Sequence, residues 1–452
     1  MPSPYFPPRT VFLNRVRSTL FSPICLRFTV TALALSLAIQ LFFPLPSHAY
    51  AVLSHQALID TVWETHLKSL LKARYPDATE EQLSAAQAYA YGGSIIQDLG
   101  YYPHGSHLFS DLTHYVRSGD FVMALLRDSQ DVYQYAFALG ALSHYATDNE
   151  GHRIGTNRAV PILYPPLQKK FGNFVTYEDD ELAHVKTEFG FDVLQVAQQR
   201  YAPSSYHDFI GFEVSRPLLD QAFQETYGIE LKSVLPEEDL ALNTYRHDVS
   251  QLLPKATRIA WSLKSKEILE DEPGETRRRF LYNLSRADYE KEWGPNYEHP
   301  SREECFLAFL YKLLPKFGAL RVLELKTPTP ETEKMFEESF NASATEYRRL
   351  LQEERNGNLQ LPNLNFDVGQ ETPGGSYRLN DDAHAQLLHK LAAKNFACVS
   401  PDLRAELLAF FANAEAPYDT KKDQKAWARV QSELQALKTS ALISRKVNPS
   451  AD

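Results

Sequence analysis

Fourteen histidines occur in the 452 residues, and eight of them fall between His55 and His184. Imidazoles gathered in one stretch suggest metal ligation, because neutral imidazole and ionised carboxylate are the usual ligands where thiolates are scarce. Two pairs stand out: His144 with Asp148, and His184 with Glu188. On a helix, residues four apart share a face, so an imidazole and a carboxylate can converge on one cation. The spacing alone is a weak signal. With 57 acids in 452 positions, about two of the histidines would have an acid four residues on by chance. The chain has four, since His107 with Asp111 and His299 with Glu303 share the spacing. A single such pair is as readily a solvated helix face.

The setting of His144 is more informative. It follows the small, apolar run Ala138-Leu139-Gly140-Ala141-Leu142, where helices can approach closely and a polar pair is costly to bury unless something compensates it. His152 falls just past the expected end of this helix at Gly151, from where it can turn to the same cavity. Asp98 lies in a Gly-containing stretch, Gly92 to Gly100, where the ordinary reading is a turn Asp bonded to its own backbone. His55 belongs to the first helical pattern of the chain.

The elements that must hold these residues are helices. Apolar residues recur at helical spacing from Leu58 to Arg74, and the pattern stops at Tyr75-Pro76-Asp77. Thr79 with Gln82 predicts a capping box for a helix running towards Tyr91 and ending at Gly92-Gly93. A loop follows from Gln97 to Gly105, then helices over Asp131–Thr147 and from Glu181 to about Tyr201. Beyond Ser204 the chain reads as helical, with breaks at Pro254, Pro273 and Pro295 and a Pro-rich connection at Lys326–Pro330. Two further helical patterns, Glu331–Glu354 and Asp382–Lys394, are joined by a Gly/Asn-rich loop from Asn356 to Gly375. No repeat and no alternating strand series appears. The expected fold is mainly α: a helical domain over residues 50–272 and a further helical region over 273–452 of unassigned role.

Hydrophobic residues make up 44% and aromatics 12%, which supports a large core. The net charge of -10 argues against the basic track of an extended nucleic-acid binder, but not against a metal site that brings its own positive charge. Arg9, Arg15, Arg17 and Arg27 precede an apolar run from Phe28 to Pro46, and Ser47-His48-Ala49 follows. That is the layout of a secretory signal over residues 1–49, implying a secreted or periplasmic mature protein. An uncleaved anchor is the alternative, since the run is near the minimum spanning length. Cys25 lies upstream of the run, so only Cys305 and Cys398 would remain after cleavage. Two cysteines so far apart make no zinc–thiolate site, and any metal must be bound by histidines and acids.

Taken in order, His55, Asp98, His114-Tyr115, His144, Asp148, His152, His184 and Glu188 resemble the ligand set of the zinc-dependent phospholipase C family, over about residues 50 to 190. The resemblance implies a multi-helix fold and three zinc ions, with Asp148 bridging two ions and His152, His184 and Glu188 holding the third. It implies a further ligand in the amine and carbonyl of the first mature residue; cleavage after Ala49 makes that residue Tyr50, where the family usually has Trp. Between His107 and His114, the following Tyr115 favours His114. Asp98 would orient or deprotonate the water as well as bind metal, and a hydroxide shared by two ions would attack phosphorus. Tyr91, Tyr101, Tyr102 and Phe109 would either line a pocket for a lipid or choline-like group by cation–π contact or pack in the core. The implied substrate is a phospholipid or other phosphodiester, with peripheral contact to a membrane. The runner-up is a single-strand nuclease or nucleotidase on the same scaffold. A third reading is a non-catalytic helical zinc-binding interaction protein; the missing Cys-rich pattern of structural zinc favours an open catalytic site over it. N-terminal sequencing of the mature protein is expected to begin at Tyr50, and a start at Val52 would remove the amine from the set.

Overall fold

The computed structural model describes residues 52–197, 212–248, 259–260, 263–264 and 324–440, which fold mainly as helices joined by turns and loops. Helix α1 (Val52–Val62) runs through a π turn, Trp63–Leu67, into α2 (Lys68–Arg74). Helix α3 (Glu80–Gly93) opens on the expected capping box: Gln82 N–H donates to Thr79 Oγ1 at 3.2 Å, and Thr79 N–H donates to Gln82 Oε1 at 2.9 Å. A 3₁₀ turn, Ile96–Tyr101, leads to α4 (His107–Tyr115) and α5 (Ser118–Asp128). Helix α6 (Val132–Glu150) starts at Asp131, whose carboxylate accepts from the N–H groups of Tyr133 and Gln134.

The expected stop at Gly151 is not a stop. Gly151 keeps ordinary right-handed helical angles, φ -61° and ψ -52°, and therefore provides no left-handed cap. The chain instead widens into a π turn, Gly151–Thr156, and continues as α7 (Asn157–Leu163). After α8 (Pro165–Phe171) comes α9 (Glu181–Ala197), then α10 (Arg216–Tyr227) and α11 (Glu238–His247). Beyond the Pro-rich connection lie α12 (Pro330–Arg355), capped by Thr329, and α13 (Arg378–Ala393), α14 (Pro401–Phe410) and α15 (Gln424–Thr439). Among the described residues the only β pairing is an isolated bridge between Asn365 and Gln370. No described helix is long and apolar enough to cross a membrane. The N-terminal segment with Tyr50, the breaks at Pro254, Pro273 and Pro295, the His299/Glu303 pair and Cys305 lie outside the described residues; Cys398 is exposed.

Helix α6 is the axis of the core, and two neighbours set its position. On one side α3 crosses it at backbone contact. A Cβ on Gly140 would lie 2.2 Å from the Ala90 carbonyl oxygen, and one on Gly93 would lie 1.9 Å from that of Phe137. On the other side α12 is tied to it by Tyr347 OH to Leu139 O at 2.8 Å, Ser343 Oγ to Thr147 O at 3.4 Å, and Tyr135 OH to Glu354 Oε1 at 2.9 Å. Leu139 and Leu142 share one apolar cluster with Phe340, Tyr347 and Leu351 of α12. Each such buried side chain contributes roughly 1.5–3 kcal/mol, so α12 shares the core of the first six helices.

The loop from α12 to α13, residues 356–377, runs back over this core. Ser118 Oγ donates to Leu364 O at 2.6 Å, Tyr145 OH to Pro362 O at 3.0 Å, and Phe366 N–H to His114 O at 3.1 Å. Gly369 lets the loop turn back at φ +65°, with Asn149 O 2.6 Å from where a Cβ would stand.

Gly140→Ala is expected to force α3 and α6 apart and destabilise the fold by about 1–3 kcal/mol. Denaturant unfolding checks this, and an unchanged midpoint would contradict the close approach.

Candidate metal centre

The α3–α6 contact decides the chemistry of the first imidazole. Chain leaving α3 places the Ser94 carbonyl 2.9 Å from His144 Nδ1. One turn of α4 places the Ser110 carbonyl 2.8 Å from His114 Nδ1. A carbonyl only accepts, so both rings keep their proton on Nδ1 and turn a lone pair outward at Nε2. Those two Nε2 atoms face each other at 3.3 Å. Two carboxylates join them. Asp98, from the 3₁₀ turn, has Oδ1 3.3 Å from His114 Nε2 and 4.0 Å from His144 Nε2. Asp148, one turn beyond His144, has Oδ2 3.1 Å from His144 Nε2 and 3.4 Å from His114 Nε2.

The other oxygen of Asp148 faces a different helix. His55 on α1 stacks on His144 with ring centroids 4.5 Å apart and brings Nε2 to 3.4 Å from Asp148 Oδ1. Asp148 thus presents one oxygen to His55 and the other to His114 and His144. A second gathering lies around α9. His184 Nε2 is 2.9 Å from Glu188 Oε1, and His152, carried in by the π turn, has Nε2 3.3 Å from the same oxygen. All eight side chains are buried, none more than 2% exposed.

Several of the carboxylate oxygens lack a well-formed hydrogen bond. No described residue gives a hydrogen bond to either oxygen of Asp148 or of Glu188, or to Asp98 Oδ1. Buried carboxylates without donors are strongly unfavourable unless a proton or a metal cation compensates them. Burial works against ionisation of Asp148, yet the nearby His144, His152 and His114 hold its carboxyl well below the usual range. At Asp98 burial dominates and raises the carboxyl, with His144 and His114 opposing. Burial also pushes His55 well below the ordinary imidazole value, helped by His144. At His114 burial would lower the value, but Asp148 and Asp98 outweigh it and raise it to about 9. His152 is likewise raised, with Asp148, Asp367 and Glu188 outweighing burial.

Three groups of ligand atoms, each within 4.8 Å of one another, can hold a metal ion: His55 with His144 and Asp148; Asp98 with His114 and His144; His152 with His184 and Glu188. His144 occurs in two of them but offers a single outward nitrogen, so the first two groups form one joined site that Asp148 spans. Imidazole nitrogens and carboxylate oxygens in buried threes and fours suit zinc, and the donor set fits that ion.

Each expected residue can now be placed. His55, Asp98, His114, His144, Asp148, His152, His184 and Glu188 come together in these groups. Tyr50 lies outside the described residues. His107 is exposed, while its spacing partner Asp111 is buried and raised to about 7 by desolvation. Tyr91, Tyr102 and Phe109 are core: Tyr91 OH bonds Asp60, Tyr102 meets Tyr245 edge-on, and Phe109 stacks on Phe223. Only Tyr101 of the four aromatics borders the centre, its ring 5.9 Å from His114 and from Tyr177.

Two acids were not foreseen. Asp192 continues the stripe of His184 and Glu188 along α9 and accepts from Leu53 N–H at 2.9 Å and Ser54 Oγ at 2.8 Å, fixing the start of α1 beside His55. Its spacing, eight beyond His184, was a readable signal. Asp367, in the loop before α13, has Oδ1 3.5 Å from His152 Nδ1 and carries no spacing signal.

Residues 54–236 match the protein-family model described as zinc dependent phospholipase C. None of the curated proteins and none of the solved structures matches the chain. The matched segment contains all eight gathered residues and ends well before α12.

Because His114 has a folded-state value of about 9 against 6.5 in the unfolded chain, its proton stabilises the metal-free fold fully below pH 6.5, and that contribution is lost as pH rises through 9. Zinc must displace this proton. Apparent zinc affinity of the Asp98, His114 and His144 group is therefore expected to climb by up to about tenfold per pH unit below about pH 9. Chelator competition, corrected for the chelator's own protonation, measures this; a flat profile would contradict it.

Proposed function

We propose, from the match of residues 54–236 to the zinc dependent phospholipase C family model, that this chain is an exported zinc-dependent phosphodiester hydrolase that cleaves phospholipid headgroups. In this reading three ions are held by Tyr50, His55, Asp98, His114, His144, Asp148, His152, His184 and Glu188. The observation that carries it is the convergence of imidazole Nε2 atoms and carboxylate oxygens in the protein interior. Such an arrangement needs protons or metal cations to offset its carboxylates.

The residues divide the work by geometry. The Ser94 and Ser110 carbonyls hold His144 and His114 in the tautomer that presents Nε2. Asp148 keeps the His55 side and the His114/His144 side at fixed separation through its two oxygens. Bound zinc supplies a water acidified to near neutrality and positive charge for the phosphoryl oxygens. Asp98, whose carboxyl burial raises, would be the group beside that ion able to accept a proton. Tyr101, Tyr177 and Phe366 wall the histidines with ring contacts of 5.3–5.9 Å and keep bulk water away from them. The acidic net charge disfavours a long polynucleotide track, whereas one phosphodiester needs only the local cations.

Zinc content, phosphatidylcholine turnover and single-stranded DNA cleavage of the purified mature protein test the proposal together. Zinc with lipid turnover supports it. Zinc with DNA cleavage selects the nuclease reading, zinc with neither activity a non-catalytic binding role, and absence of zinc rejects all three. Asp148→Asn is expected to lose metal and activity together; a zinc-loaded, fully active variant would refute its spanning role.

A further inference from the structure

Asp367 comes from the loop between α12 and α13, more than a hundred residues beyond the family match, yet it reaches the centre. It is 1% exposed. The imidazole of His152 lies between two carboxylates: Nε2 is 3.3 Å from Glu188 Oε1 in the ligand group, and Nδ1 is 3.5 Å from Asp367 Oδ1 behind it. A carboxylate behind a metal-facing imidazole keeps the ring proton on the rear nitrogen and fixes the ring plane. For His114 and His144 backbone carbonyls occupy that rear position. For His152 it is a side chain delivered from a distant part of the chain.

Asp367 is itself held firmly. Tyr177 N–H donates to its Oδ2 at 2.9 Å, and Tyr377 OH donates to the same oxygen at 2.7 Å. Asn157 Nδ2 donates to its Oδ1 at 3.2 Å and to its backbone carbonyl at 2.6 Å. Its own N–H is turned in by Asn365 Oδ1 at 3.0 Å. Next to it, the ring of Phe366 packs on His114, His144 and Tyr145 at 5.3–6.0 Å. Three donors, from Tyr177, Tyr377 and Asn157, thus fix the carboxylate of a buried acid that faces a candidate ligand.

We propose that Asp367 is a positioning residue of the metal centre: it holds His152 so that Nε2 faces the site shared with His184 and Glu188, and the chain beyond residue 324 thereby completes a centre whose ligands all lie upstream. The inference rests on the zinc-enzyme reading above and assigns the C-terminal region a part in it.

The test uses the full mature chain, with zinc as the probe and retention measured by metal analysis and chelator competition. Asp367→Asn keeps an acceptor for Tyr177 and removes the charge. It is expected to weaken one ion of the set by about 10–100-fold and leave the others in place. In a His152→Ala background, where that ion's site has already lost its imidazole, the same substitution is expected to change zinc affinity less than about twofold. Cobalt(II)-loaded protein gives a readout independent of activity: the visible absorption of one ion should change in Asp367→Asn and not in the double variant. Wild-type affinity in Asp367→Asn, or an equal loss with and without His152, would overturn the proposal; the latter would make Asp367 a merely structural loop residue. A wild-type protein that binds no zinc would instead overturn the enzyme reading and this inference with it. Should Asp367→Asn not fold, Tyr377→Phe carries the test. It strips one donor from the carboxylate, with an expected loss of about threefold, and an unchanged affinity there also counts against the proposal.

Discussion

Acceptor atoms facing acceptor atoms are what the rest of this structure has to accommodate. His114 and His144 turn lone pairs towards each other at 3.3 Å because backbone carbonyls fix both protons at the rear. Asp98 and Asp148 add carboxylate oxygens to the same small volume. In water such groups would separate and hydrate. Here they are buried, and desolvating an uncompensated carboxylate costs several kcal/mol even after relaxation. A cation reverses the sign of every one of these interactions. A proton does so in part, which is why His114 is raised to about 9 in the metal-free protein.

Several features of the fold make sense as ways to hold that arrangement. Gly93 and Gly140 allow α3 and α6 to meet at backbone contact, which carries the Ser94 carbonyl to His144. The π turn after α6 serves the second group. A regular helix capped at Gly151 would have left His152 outside it, whereas the widened turn aims its ring at Glu188. Such turns are recurrent at functional sites. Helix α9 supplies both ends of the centre with one stripe: His184 and Glu188 inward, and Asp192 pinning the start of α1 near His55. Helix α12 supports the face of α6 opposite α3, and the loop after it closes over the imidazoles.

Local signals were the legible ones. Thr79 with Gln82, Asp131 and the Pro-rich entry to α12 each mark a helix start by chemistry within four residues, and all three stand where expected. The His144/Asp148 and His184/Glu188 pairs were readable because four residues is one helical turn. What joins the pairs is not local. His55, Asp98 and His114 reach the centre through helix crossings that no short window contains, and their order along the chain was recognisable only as a family likeness. Gly151 misled because a glycine after a helix usually takes the left-handed angle, and here packing on α12, with Ser339 Oγ 2.7 Å from where a Cβ of Gly155 would stand, favours continuation. Asp367 was invisible for a simpler reason: an acid in a Gly/Asn-rich loop has the composition of any turn, and its meaning comes from the tertiary path of that loop.

Crystals of the purified protein, measured at energies on either side of the zinc absorption edge, would test the account most directly. Anomalous peaks are expected on both sides of Asp148, one towards His55 and one among Asp98, His114 and His144, with a third beside His152, His184 and Glu188. A map without anomalous density at any of these positions, from protein prepared with zinc and without chelators, would contradict the claim that this interior is arranged around cations.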